Sequence, residues 1–106
     1  MASATELDLP AVPFDVLEFA GDRAVTSCLR PLLAITRTIF PTAPIELRLE
    51  DDPEVPDDKH IVIEVDVTGW TVDEMFAAHN QWTHLSFEAC SASDLYVFRL
   101  RMRQTG

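Results

Sequence analysis

The chain has 106 residues, 47% of them hydrophobic and 25% charged, enough for one small domain with a single core and too few for two. Eighteen acidic residues against eight basic ones give a formal charge of −10. Such a surface repels phosphate backbones and anionic lipid, so no nucleic-acid or membrane partner is expected, whereas a basic protein fits the charge.

Residues 1–12 are small, polar and punctuated by proline, and read as a flexible N-terminal arm ahead of a single domain over 13–106. The arm has neither the basic stretch nor the apolar run of a secretion signal, and no later run is long enough to span a bilayer. A cytoplasmic setting is expected. The segment Phe14 to Phe19, FDVLEF, is apolar-rich, but its periodicity does not separate an edge strand from a turn of helix.

Asp22 is placed to cap a helix from Arg23 to about Phe40. Val25, Cys28, Leu29, Leu32, Leu33, Ile35, Thr36, Ile39 and Phe40 share its broad apolar face. Arg23, Arg30 and Arg37 recur every seven residues and lie on the other side. Pro31 inside a helix costs about 3 kcal/mol. It falls on the outer side, where a kink would wrap the helix around the core. Pro41 and Pro44 end it.

Ile45 to Glu50 alternates, with Ile45, Leu47 and Leu49 against Glu46, Arg48 and Glu50, which is the pattern of a half-buried strand. An acidic, proline-containing loop follows and reads as a solvated turn. His60 to Val67 alternates again and is expected to pair with the first strand as a hairpin. Thr71 and Glu74 then have the spacing of a capping box, and Trp70 and Met75 that of the hydrophobic staple outside it. The helix so opened runs to about Phe87, with Val72, Met75, Phe76, Trp82 and Leu85 on its apolar face. Asp94 to Met102 reads as the last strand, with Arg99, Arg101 and Arg103 in one row on its polar side.

These elements predict an α+β domain. Two helices pack in two layers on one face of a mainly antiparallel sheet of three or four strands. The order is ferredoxin-like, βαββαβ, if residues 14–19 form a strand. The uncovered face then gathers Glu46, Arg48, Glu64 and Asp66 with Arg99, Arg101 and Arg103, either as cross-strand ion pairs on a wet face or as an interaction surface.

His79 falls at the centre of the second helix's apolar face and is expected to point at the sheet. A ligand pocket between that helix and the sheet would draw on His79, Trp82, Tyr96 and Cys90. Cys28 and Cys90 have no CxxC or metal spacing and are expected as two reduced thiols in or near the core, with a disulfide as the alternative. No metal-binding spacing, nucleophile motif or glycine-rich phosphate loop is present, so no metal site, catalytic residue or cofactor is expected.

The expected function is protein–protein interaction or homodimerisation through the sheet, without enzyme activity. Two other readings are open. One is a small enzyme or ligand-binding module built around His79. The other is regulation of a nucleic-acid-binding partner by acidic charge mimicry.

Overall fold

In a computed structural model, residues 10–51, 53–55 and 58–105 are described. The two alternating segments form strands β1 (Ile45–Glu50) and β2 (His60–Asp66), paired antiparallel with Ile45 opposite Val65 and Glu50 opposite His60. The third strand, β3 (Phe98–Arg103), pairs with β2 in parallel, placing Ile61 beside Phe98 and Asp66 beside Arg103. The sheet order is β1-β2-β3. The sheet is therefore mixed, not mainly antiparallel. The reason is the connection. Between β2 and β3 lies helix α3 (Val72–Ala89). Its 18 residues travel about 27 Å, roughly the length of a seven-residue strand, and return the chain to the end where β2 began.

Before the sheet come two helices, α1 (Phe14–Asp22) and α2 (Thr26–Ile39). Phe14 to Phe19 is thus helical, and the condition for ferredoxin-like order is not met. Asp22 ends α1 instead of capping α2, whose N-cap is Val25 with no side-chain hydrogen bond. The break between them is a Schellman turn. The Val25 N–H reaches the Ala20 carbonyl (2.9 Å) and the Ala24 N–H reaches that of Gly21 (3.1 Å). Ala24 takes the left-handed conformation, φ 58°, at the position where glycine is usual. The seven-residue arginine row is consequently divided. Arg23 sits beyond α1 with its guanidinium 5.0 Å from the Phe19 ring, while Arg30 and Arg37 lie on α2. Arg37 donates to the carbonyls of Phe40 (3.0 Å) and Ala43 (2.9 Å), holding the chain as it leaves the helix.

α3 opens on the expected capping box. The Thr71 hydroxyl accepts the Glu74 N–H (3.1 Å) and the Glu74 carboxylate accepts the Thr71 N–H (2.8 Å). Trp70 and Met75 both pack on the cluster of Phe40, Val65, Val67 and Ala78. After α3, Asp94 and Leu95 belong to a short helix, α4 (Ala92–Leu95), and not to the strand. Ser91 caps α4 by accepting the Asp94 N–H.

The main core joins Val16, Phe19 and Ala20 of α1, Leu29, Leu32 and Leu33 of α2, Trp82 of α3 and the sheet residues Leu47, Ile61, Ile63 and Phe98. Each large apolar side chain buried there stabilises the fold by about 1.5–3 kcal/mol. Cys28 and Cys90 lie at its edge and are joined as a disulfide, with Cα atoms 6.1 Å apart. The expectation of two reduced thiols is corrected. The bond ties the start of α2 to the end of α3, positions 62 residues apart in sequence.

Candidate functional site

The sheet face opposite the apolar one carries alternate residues of all three strands, so its charges meet by register. Glu46 lies opposite Glu64, which lies beside Arg101, and Arg48 lies opposite Val62, which lies beside Arg99. Glu64, on the central strand, is buried at 4% exposure. Arg48 bonds it from β1, and the Arg103 Nε approaches it at 3.3 Å from β3. Arg101 grips Glu50 with both terminal nitrogens, Nη2 at 2.7 Å, and Arg48 reaches the same carboxylate at 3.0 Å. Arg103 also approaches Asp66 at 3.7 Å. Val62, fully buried, lies in register between Arg48 and Arg99.

The electrostatics follow from these contacts. Arg101 first, and Arg48 second, hold the Glu50 carboxyl down to about 2. Glu50 in turn raises Arg101, and Glu64 raises Arg48. Asp66 is lowered, chiefly by the Thr68 hydroxyl 2.6 Å away. Arg99 stands apart from the acids. It donates to the Tyr96 and Phe98 carbonyls and lies 5.2 Å from the Tyr96 ring centre. The charged residues read from the sequence thus share one sheet face, and within the chain most of their charges satisfy one another. Beside it, a shallow depression is lined by Glu50, Asp51, Asp58, His60, Arg99 and Arg101, a mixture of both signs. The acidic loop contributes Asp51 and Asp58, while its residues 52, 56 and 57 lie outside the described set.

The residues read as a pocket have different environments. Trp82 is buried, and its indole N–H donates to the Thr36 hydroxyl (2.9 Å), which itself donates to the Leu32 carbonyl (2.7 Å). Cys90 is in the disulfide. His79 is exposed and Tyr96 is 70% exposed at the end of α4. His79 does not point at the sheet, which corrects the sequence reading. The inward face of α3 is instead Ala78, Trp82 and Ser86, with Met75 partly covered. Ala78 and Ser86 are small enough for α3 to lie close against the core, and Thr36 gives the Trp82 N–H the acceptor that burial demands.

That choice of face leaves another one outside. Val72 is 74% exposed, Phe76 69% and Phe87 59%. With His79 and Thr83 they form one line along α3, spaced by four, three, four and four residues. No protein-family profile matches the chain, and no curated protein or solved structure is significantly similar to it. The apolar character of Val72 and Phe76 is legible in the sequence, but a helical wheel assigns them to the core. The signal that could have separated the two faces is the pair Ala78 and Ser86 flanking Trp82 at helical spacing.

Among the described residues no group of three or more His, Cys, Asp or Glu is arranged to hold a metal ion. No described helix is long and apolar enough to cross a membrane.

Proposed function

We propose that this protein acts by binding another protein. The observation that carries the reading is the outward line Val72, Phe76 and Phe87 on α3. Together these side chains expose on the order of 300 Å² of apolar surface, a patch size that is often functional in a soluble domain. In this reading the helices form a layer over the apolar sheet face and leave the outward side of α3 for a partner.

Self-association through the sheet has weaker support. β3 is an edge strand, and two copies paired antiparallel along it would set Arg99, Arg101 and Arg103 against the same row of the second copy. Like charges directly opposite destabilise a strand pair. The disulfide bears on location. Such bonds persist in oxidising compartments and are rare in the cytosol, which weighs against a cytoplasmic setting.

The test is photo-crosslinking in the expressing cells with benzoylphenylalanine placed in turn at positions 76, 87 and 101. Discrete protein adducts at any of the three support the reading. Adducts at none of them, with a monomer in sedimentation, would refute it.

A further inference from the structure

We infer that the outward face of α3 receives a basic amphipathic helix; the inference rests on the protein-binding reading above and names its surface and partner. Three observations converge on that occupant. The first is spacing. Val72, Phe76, His79 and Thr83 follow the four-three-four pattern of a helix–helix seam, and Phe87 extends it. A strand or loop partner has no use for that period. The second is length. From Val72 to Phe87 the line runs about 22 Å, matched by a partner helix of four turns.

The third is charge. α3 carries Asp73, Glu74 and Glu88 and no Lys or Arg, and none occurs anywhere between Lys59 and Arg99. Glu74 is engaged in the capping box, and Glu88 lies 3.6 Å from His84. Asp73 flanks Val72 and Phe76 on the wheel, and Glu88 follows Phe87 at the other end. A helix with Lys or Arg beside its apolar stripe meets acids at both ends of the line, and the −10 charge of the chain speeds its approach. A second copy of this chain fits worse. Laid antiparallel along α3, it brings Asp73 near Glu88 of its mate at each end, and both molecules carry the same large negative charge.

The side chains need no rearrangement, because α3 is already fixed by its capping box, by the Trp82–Thr36 hydrogen bond and by the disulfide at Cys90. The partner therefore meets a preorganised ridge and bears the ordering cost alone.

The experiment is a titration of the oxidised 106-residue chain with three 18-residue synthetic peptides, followed by calorimetry and by amide chemical shifts. The first has leucine on heptad a and d positions and lysine on the flanks. The second is its scrambled isomer, and the third replaces lysine by glutamate. The expected result is saturable binding of the first at or below about 100 µM, at least tenfold weaker binding of the other two, and shifts centred on residues 72–87. Phe76→Ser and Phe87→Ser should each weaken binding about tenfold, while Phe14→Ser, at a still more exposed position on α1, leaves it unchanged.

The inference is overturned if the lysine peptide does not bind, if its scrambled isomer binds as well, or if the Phe76 and Phe87 variants bind like the parent. Self-association in sedimentation that Phe76→Ser abolishes would assign the face to a second copy instead. Crosslinks at position 101 with a failed titration would leave the protein-binding reading standing and remove this one.

Discussion

Substitution of Thr36 by valine isolates the buried hydrogen bond by which α3 is held to α2. Thr36 is fully buried, accepts the Trp82 indole N–H and donates to the Leu32 carbonyl. Valine keeps the volume and the β-branch, so no cavity opens, but it removes the acceptor that the indole has among the described residues. An orphaned buried donor costs about 1–3 kcal/mol, and the lost Thr36–Leu32 bond adds about 0.5–1 kcal/mol. Thr36→Val should therefore destabilise by roughly 1.5–4 kcal/mol.

In a Trp82→Phe background no indole remains to be orphaned. The same Thr36→Val change should then cost only about 0.5–1 kcal/mol, and the cycle should show a coupling of about 1–3 kcal/mol. The volume lost with the indole is common to both proteins that carry Trp82→Phe and cancels from the comparison. Urea unfolding followed by far-ultraviolet circular dichroism measures all four proteins, with an unchanged m-value as the check on two-state behaviour. If Thr36→Val costs the same in both backgrounds to within about 0.5 kcal/mol, the Trp82–Thr36 bond does not set the phase of α3.

Three further outcomes are expected. Ala24→Gly should stabilise the fold by about 0.5–1 kcal/mol, because relief of the left-handed strain exceeds the entropy glycine adds to the unfolded chain, and Ala24→Val should destabilise it; thermal melts decide the sign. Reducing the Cys28–Cys90 bond, or replacing both cysteines by alanine, releases a loop spanning 62 positions and should lower stability by up to about 4 kcal/mol, a large share of the 5–15 kcal/mol usual for a domain; a loss below about 1 kcal/mol would contradict the chain-entropy argument. Glu50, held at about 2 against an ordinary 4.5, contributes stability above about pH 4.5 that is lost as pH falls toward 2. Its side chain is 30% exposed, so the contribution is discounted to about 1–2 kcal/mol, and Glu50→Gln should flatten the acid limb of the stability profile by that amount.

The parts of the fold legible in the sequence are those whose information is local. The strand segments β1 and β2 and the Thr71–Glu74 box are each written within a few residues, and each is found. The parallel pairing of β3 is not local. It follows from an 18-residue helix returning the chain, a consequence of helix length that strand patterns do not contain. The phase of α3 escaped for a related reason. A helical wheel rewards large apolar side chains, whereas the fold turns the side with Ala78, Trp82 and Ser86 inward, with the Trp82 indole bonded to Thr36, and leaves Phe76 and Phe87 outside. The break at Ala24 escaped because alanine occupies a position where the usual signal is glycine. The charged sheet face was legible in full from alternation, although the pairing of Arg101 with Glu50 is fixed only by the side chains themselves.

The central place of β2 has a kinetic consequence. One edge of this strand is satisfied by a neighbouring hairpin arm, which forms in microseconds, while the other waits for a strand that lies beyond the whole of α3. Until that strand arrives, β2 shows an open edge of HIVIEVD, a run rich in β-branched residues that foreign strands can add to. An early link between Cys28 and Cys90 shortens the wait, because Cys90 lies just ahead of the missing strand and the link anchors it to α2. Oxidation would then act on this chain as a folding aid that shields it from aggregation, quite apart from any stability it adds to the finished molecule.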